Sequence, residues 1–252
     1  MFHPETLWTL IAAPFVGGLM GLLVVRLPQD EPVVLSRSRC RSCGTALKPF
    51  DLLPLVSFLA LGRKCRHCGA AVSWRYFWVE LGAVGVAVWT VTVVPPHLML
   101  PTAMLGWTLL TLAVIDAEHF IIPDSLTLVV LAAGLLTAGF LIERQLVSAL
   151  LGVVLGGSVL WAVAALYHRF RGREGLGFGD VKLMGAGGAW VGWQGLSTVL
   201  LWSVLFAFLS VLFMTLRGHE VRRDTALPFG PFLAAGIWLT WVYGPIGLML
   251  GG

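Results

Sequence analysis

Long uncharged stretches separated by short polar segments run along the whole chain. A stretch of about 20 apolar residues is long enough to cross a bilayer as a helix. Stretches of that length occupy 7–25, 125–142, 145–167 and part of 230–252. Two further stretches are of double length, 81–115 and 183–216. The pattern therefore predicts eight membrane-spanning helices.

Each double-length stretch contains residues that favour a turn. The first is interrupted by Pro95-Pro96-His97, with Pro101 close behind, and the second by Gly192-Trp193-Gln194-Gly195. Proline and glycine clusters are the strongest local signals for a turn between two periodic segments. We therefore expect each of these stretches to form two helices joined by a short turn.

The composition supports a membrane protein. Charged residues make up 12% of the 252 residues and apolar residues 58%, and the mean hydropathy is +0.87. Soluble domains carry about 25% charged residues, and disordered chains are poor in apolar residues. The numbers exclude both of these classes.

Basic residues indicate the orientation of the spans. With eight alternating spans, 16 of the 17 Lys and Arg residues fall on one side, and Arg144 falls on the other. An excess of Lys and Arg marks cytoplasmic loops, so this side is predicted to be cytoplasmic. The net charge of +4 then reflects topology and contact with anionic lipid, and no nucleic-acid partner is expected.

All four cysteines lie between the first two predicted spans, as the pairs Cys40/Cys43 and Cys65/Cys68. The 21 residues between the pairs are close to the spacing of a zinc ribbon. Each Cys-x-x-Cys turn presents two thiolates on one side. Two such turns complete a tetrahedron with Zn–S distances of about 2.3 Å. The spacing therefore predicts a cytoplasmic zinc-ribbon-like loop.

Two further observations favour structural zinc over a redox dithiol or a metal-free loop. Gly44 and Gly69 directly follow the two pairs, where such a turn often needs a positive φ. A cytoplasmic compartment also disfavours structural disulfides. Because four thiolates leave no open coordination position, the metal is expected to organise the loop and not to catalyse.

Two acidic residues stand at predicted helix ends on the basic side of the membrane. Asp116 ends the third span and Asp180 opens the sixth, so the two can meet at one depth although 64 residues separate them. Gly177 and Gly179 let the backbone next to Asp180 leave the regular helix. Irregular backbone at membrane depth is tolerated where it lines a protein or water cavity.

The chemistry of these residues leaves several functions open. Two carboxylates within about 4 Å cannot both ionise easily, so the pair shares one proton. One member can then deprotonate water while the other polarises a peptide carbonyl, as in aspartic proteases. The same aspartates could also cap helices or form the proton site of a transporter.

In these motifs the sequence resembles the type IV prepilin peptidase family of leader peptidases and N-methyltransferases. The N-terminal part of the resemblance comprises the two cysteine pairs, Arg26-Leu27-Pro28, Trp74-Arg75-Tyr76 and Glu80-Leu81. The C-terminal part comprises Asp116, residues 121–127, residues 174–182 and Pro228-Phe229-Gly230-Pro231. Each motif is weak alone, but their joint order is highly specific.

The resemblance implies a GxGD-type intramembrane aspartyl protease that removes the basic leader of prepilins or pseudopilins. The family's catalytic pair maps onto Asp116 and Asp180. Four residues match positions around that pair and are expected to support it: Gly177, Gly179, Asp124 and Lys182.

The resemblance also implies that S-adenosylmethionine methylates the new N-terminus, an activity tied to the cytoplasmic loop. Glu80, where the loop returns to the membrane, is the expected contact of the methyl donor. Family members often read Gly-Ser-Phe-Leu-Asn where this chain reads Gly17-Gly18-Leu19-Met20-Gly21. The missing Ser and Asn leave a peptidase without methyltransferase activity as an alternative.

Together these observations predict an all-α polytopic membrane protein with two domains. Residues 1–98 would hold two spans and the zinc loop at 27–76, the methyltransferase part. Residues 99–252 would form a six-helix aspartyl peptidase domain. The resemblance implies the bacterial inner membrane, with the loop and active site facing the cytoplasm. Expected partners are prepilins or pseudopilins and the lipid bilayer.

Overall fold

The computed structural model describes residues 3–33, 38–52, 54–142, 145–172, 176–218 and 226–246. Within these ranges the chain is helical and contains no β-strand, which confirms the predicted all-α class. The helices are α1 (Pro4–Arg26), α2 (Val56–Ala60), α3 (Trp74–Val93), α4 (Pro96–His119), α5 (Asp124–Phe140), α6 (Leu146–Arg171), α7 (Phe178–Leu216) and α8 (Gly230–Tyr243).

The longest helix, α7, is broken at Gly192, whose φ of 65° and ψ of 178° are not helical. Only glycine adopts such a conformation without strain. The break falls in the predicted turn, so α7 supplies two of the predicted spans. Leaving out the five-residue α2, the described residues contain eight apolar helical segments, in agreement with the predicted number.

The prediction for Pro101 is wrong. The pattern associates this proline with the turn between α3 and α4, but it lies inside α4. The turn itself is shorter, since α3 ends at Val93 and α4 begins at Pro96. Proline is tolerated inside membrane helices because neighbouring groups satisfy the carbonyl that it leaves unpaired.

Five of the described helices are long and apolar enough to cross a membrane: α1 with the 3₁₀ turn that follows it, α3, α4, α6 and α7. The 17-residue α5 is also apolar but shorter. These helices establish a multi-pass membrane protein.

The chain divides into two compact units, residues 1–111 and residues 112–252. In the first unit α1 packs on α3. The two helices approach closely at Gly17, where an ideal Cβ would lie 2.7 Å from the Glu80 Cα. The Trp107 indole N–H donates to the Ala83 carbonyl at 2.9 Å, which ties the N-terminal part of α4 to α3. The predicted boundary at residue 98 stays a prediction.

In the second unit α7 packs on α5, α6 and α8. Gly152 of α6 and Gly188 of α7 face each other so closely that a Cβ on either residue would overlap the other's backbone. Small residues at such crossings are typical of membrane helix bundles. The Trp190 indole N–H also donates to the Val130 carbonyl at 2.8 Å, which joins α7 to α5. These contacts pack the N-terminal half of α7 closely against α5 and α6.

Candidate active site and metal centre

Asp116 lies in the last turn of α4, and its side chain is buried. The backbone N–H of Gly230, the first residue of α8, donates to Asp116 Oδ2 at 2.9 Å. The first N–H groups of a helix lack partners within the helix, and the positive end of the helix dipole favours a carboxylate there. An ideal Cβ on Gly230 would lie 2.6 Å from the same oxygen, so this approach requires glycine.

Asp180 lies in the first turn of α7 and is also buried. Its Oδ1 has no hydrogen-bond partner among the described residues. A Cβ on Gly179 would lie 2.9 Å from the Ile122 Cβ, so glycine allows the start of α7 to pack on the segment before α5. Of the glycine-rich motif before Asp180, Gly177 is described, whereas Glu174 and Gly175 lie outside the described residues.

The two aspartates lie near each other within the second unit. Their carboxyl groups are close enough to interact electrostatically. A buried, unpaired carboxyl oxygen is costly unless the group carries a proton or meets a ligand. In this pair, Asp116 accepts a hydrogen bond from the N-terminus of α8. Asp180 has one carboxyl oxygen that is available to bind another molecule.

Two of the residues expected to support the pair, Lys182 and Asp124, are in contact. Lys182 Nζ lies 2.6 Å from Asp124 Oδ1, which joins the first turns of α7 and α5. Both side chains are partly exposed. The ammonium group of Lys182 also lies 4.9 Å from the centre of the Phe178 ring. The ion pair therefore links the first residue of α5 to a residue of α7 that lies two positions after Asp180.

The four cysteines converge. Their sulfur atoms all lie within 4.8 Å of one another, and the Sγ atoms of Cys40 and Cys68 are 3.8 Å apart. A tetrahedral site with metal–sulfur bonds of about 2.3 Å has sulfur–sulfur edges of about 3.8 Å. The cysteines are therefore close enough to bind one metal ion.

The backbone of both cysteine pairs has the shape of a metal-binding knuckle. Gly44 and Gly69 have φ of 70° and 71°. Their N–H groups donate to the carbonyls of Cys40 and Cys65 at 2.8 and 2.9 Å. The positive φ expected after each pair is therefore present, and it turns the two thiols of each pair to one side.

The thiols differ in acidity. Side-chain and backbone hydrogen bonds from Thr45 lower the pKa of Cys43 to about 6. A backbone hydrogen bond from Ala70 favours the thiolate of Cys68, but desolvation and the neighbouring thiols raise its pKa to about 11. Four thiolates cannot share this space without a compensating cation, so the donor set fits a soft divalent metal.

Two family models match separate parts of the chain. The model of the bacterial peptidase A24 N-terminal domain matches residues 11–94, and that of the type IV leader peptidase family matches residues 103–214. A prepilin leader peptidase/N-methyltransferase of Pseudomonas aeruginosa is 37% identical over 96% of this chain and 92% of its own length.

The chain belongs to the type IV leader peptidase family. Proteins of the same name from Dichelobacter nodosus and Burkholderia pseudomallei are each 38% identical. The matches cover 87% and 90% of this chain, and 76% and 74% of the relatives. No solved structure matches the chain.

In this member of the type IV leader peptidase family, Glu80 accepts a hydrogen bond from the cysteine loop. Its Oε2 accepts the backbone N–H of Leu55 at 2.7 Å. Leu55 precedes α2 and has a left-handed φ of 59°. The expected contact between Glu80 and a methyl donor stays a prediction.

The glycines that replace the family's Ser and Asn lie beside Glu80 and Tyr76. An ideal Cβ on Gly18 would be 3.9 Å from Glu80 Oε1, which is an ordinary contact. A Cβ on Gly21 would be 2.9 Å from the Tyr76 ring. Tyr76 therefore occupies the space in which an Asn side chain at position 21 would begin.

Two contacts of the candidate site residues were missed by sequence reasoning, the backbone N–H groups of Gly230 and Leu55. Pro231 next to Gly230 is a signal for a helix start, and a helix start carries free N–H groups. That signal could have suggested that the Gly230 N–H donates to an acceptor, but not that the acceptor is the Asp116 carboxylate.

Proposed function

We propose that this chain is a membrane-embedded aspartyl endopeptidase that removes the basic leader of prepilins or pseudopilins and then methylates the new N-terminus. Membership of the type IV leader peptidase family and the printed names of its relatives support this activity. The observation that carries the proposal is the pair of buried, interacting carboxyl groups of Asp116 and Asp180.

The geometry favours a division of roles within the pair. Asp116, which accepts the Gly230 N–H, is the carboxylate that takes a proton from water. Asp180, whose Oδ1 is unpaired, carries the shared proton and donates it to the oxygen of the scissile carbonyl. The water oxygen then bonds to the carbonyl carbon and forms a tetrahedral intermediate, as in other aspartic proteases.

The second half of the reaction reverses these proton positions. Asp116 returns its proton to the leaving nitrogen as the C–N bond breaks. One hydroxyl group of the intermediate returns a proton to Asp180 as the carbonyl reforms. The products are the leader carboxylate and a pilin with a free N-terminal amine, and the pair is ready for another water.

The site is proposed to face the cytoplasm of a bacterium, at the inner membrane. The basis is the sequence, because 16 of the 17 basic residues fall on the side that carries both aspartates. A substrate with a basic leader on that side and an apolar helix in the membrane presents its scissile bond at the matching depth.

The cysteine cluster is proposed to bind structural Zn²⁺ through Cys40, Cys43, Cys65 and Cys68. Four thiolates leave no position for substrate, so the ion would hold the two knuckles together. S-adenosylmethionine would supply a methyl group to the new N-terminal amine, with Glu80 as the proposed contact. We assign this step to residues 1–98 and peptide cleavage to residues 99–252.

Purified protein is incubated with a prepilin peptide and S-adenosylmethionine, and the pilin N-terminus is analysed by mass spectrometry. Asp116→Asn and Asp180→Asn should each abolish cleavage, because Asn preserves the size of the side chain and one acceptor oxygen but has no carboxyl proton to exchange. The exposed Asp30→Asn variant is the matched control and should cleave normally. Cleavage by either active-site variant would refute the catalytic role of Asp116 and Asp180. A product of the unmodified protein that is cleaved but not methylated would indicate a peptidase without methyltransferase activity.

A further inference from the structure

A short apolar segment lies between the two cysteine knuckles. Residues 54–61 contain no charged side chain and include α2. Val56 and Leu59 of α2 are 63% and 68% exposed. These positions are three residues apart, so they share one face of the helix.

We infer that residues 54–61, named here the re-entrant segment, enter the membrane leaflet beside α3 and do not lie in the cytoplasm. This inference depends on the membrane placement of α3 and not on the proposed peptidase activity. It gives the cysteine loop an attachment to the bilayer in addition to α1 and α3, and assigns Glu80 as the residue that positions it.

The depth of the segment follows from its contacts with α3. The 20 residues of α3 are about 30 Å long, which matches the hydrocarbon thickness of a bilayer. Glu80 lies six residues after Trp74, hence about 9 Å further along the axis. Because Glu80 accepts the Leu55 N–H at 2.7 Å, the segment begins at that depth.

The segment then runs along the first turns of α3. The Phe58 ring lies 5.4 Å from that of Trp74 and 5.3 Å from that of Phe77, measured between ring centroids. Arg63, just after the segment, has its guanidinium carbon 4.8 Å from the centre of the Trp74 ring. Tryptophan and arginine are typical of the boundary between lipid and water. The chain therefore leaves the membrane near Trp74.

Irregular backbone at membrane depth requires hydrogen-bond partners from the protein. Pro54, which is buried, has no N–H to satisfy. Leu55, which is not helical, donates its N–H to Glu80. The N–H groups of Val56, Leu59 and Leu61 bond to carbonyls within the segment. Glu80 thus supplies the acceptor for the non-helical N–H of Leu55.

Lipid acyl chains are the partner that fits the exposed apolar face of α2. Phe58, which lies between Val56 and Leu59 in α2, packs on Trp74, and Trp74 and Trp78 of α3 are 50% and 62% exposed. Through Phe58, α2 therefore adjoins the surface that a membrane-spanning helix presents to lipid. Contiguous exposed apolar surface is unfavourable in water, whereas acyl chains cover it without loss.

The test uses the full-length protein in phosphatidylcholine vesicles that contain a phosphatidylcholine with a diazirine in its acyl chain. After illumination, lipid adducts are located by digestion and mass spectrometry. We expect residues 54–61 to carry adducts at a level similar to α3, and knuckle residues 38–47 and 64–71 to carry at least tenfold fewer. Labelling of 54–61 no higher than that of the knuckles would overturn the inference.

The role of Glu80 is tested in the same vesicles. Glu80→Ala removes the acceptor of the Leu55 N–H and should reduce labelling of 54–61 several-fold. Glu80→Gln keeps an acceptor oxygen and should label as the unmodified protein does. Labelling of α3 reports in each variant whether the helices are still inserted. Equal labelling of 54–61 in the Ala and Gln variants, with α3 intact, would refute the positioning role.

Discussion

Gly230 donates its backbone N–H to Asp116 Oδ2 at 2.9 Å, across 114 positions of sequence. The bond sets the N-terminus of α8 against a buried carboxylate at the end of α4. Charge-assisted hydrogen bonds of this kind are among the stronger ones in proteins. A Cβ on residue 230 would collide with the Asp116 carboxylate, so the contact depends on glycine at this position.

Replacement of Gly230 by alanine should impair cleavage. The added Cβ would lie 2.6 Å from Asp116 Oδ2, so the carboxylate or the start of α8 must shift. A displacement of about 1 Å at a reacting group can reduce a rate on the order of 10²-fold. The kcat for a prepilin peptide should fall accordingly, with little change in KM.

Gly157→Ala is the matched control for this prediction. It is a helical glycine of the same unit, and a Cβ there would meet no atom within 4 Å. Its kcat should be close to that of the unmodified protein. If Gly230→Ala cleaved as fast as Gly157→Ala, the contact with Asp116 would have no catalytic importance.

The membrane helices could be predicted from sequence because their signal is local. Each requires about 20 consecutive apolar residues, and the break at Gly192 coincides with a glycine that is visible in the sequence. Pro101 shows where the local signal fails. Whether a proline ends a helix or lies inside it depends on the neighbouring groups that satisfy the freed carbonyl.

The site was less accessible to sequence reasoning than the helices. Asp116 and Asp180 could be recognised as candidates because carboxyl groups are unusual at the ends of membrane helices. The family resemblance then identified them as a pair. The partners of Asp116 and Glu80 are the N–H groups of Gly230 and Leu55. Every non-proline residue carries such a donor, so its significance depends on tertiary contacts that no sequence motif reports.

The ion pair between Lys182 and Asp124 should contribute little to stability. The side chains are 37% and 74% exposed, and exposed ion pairs typically stabilise by about 0–1 kcal/mol. Asp124→Asn and Lys182→Gln should each change the free energy of unfolding by less than about 1 kcal/mol, as measured in detergent.

Cleavage kinetics distinguish a stabilising pair from one that orients α5 and α7 near Asp180. If the pair orients the helices, both single variants and the double variant should show the same modest loss of kcat. Additive losses in the double variant would contradict a shared role, because residues that act through one contact are not additive.

Removal of one cysteine ligand should release the metal. Cys40→Ser replaces one of four sulfur atoms that lie within 4.8 Å of one another, and the remaining three thiols would hold Zn²⁺ weakly. We expect about one zinc ion per unmodified chain, from the four-cysteine site, and far less in the variant, measured by plasma mass spectrometry. Methylation should fall more than cleavage does.

Ser42→Ala is the control for the metal prediction. Ser42 is exposed within the same Cys-x-x-Cys turn and contributes no sulfur, so its metal content should equal that of the unmodified chain. Equal loss of cleavage and methylation in Cys40→Ser would contradict the assignment of the two activities to separate parts of the chain.

Replacement of Gly188 by alanine should destabilise the second unit. Its Cβ would overlap the backbone of Gly152, which cannot rotate away as a flexible side chain can. Overpacking costs about 1–3 kcal/mol, or more where backbone must move, so the unfolding temperature in detergent should fall clearly. Gly139→Ala serves as control, because its Cβ would meet a Leu146 methyl at an ordinary 3.9 Å. Equal unfolding temperatures for the two variants would show that α6 and α7 do not pack this closely.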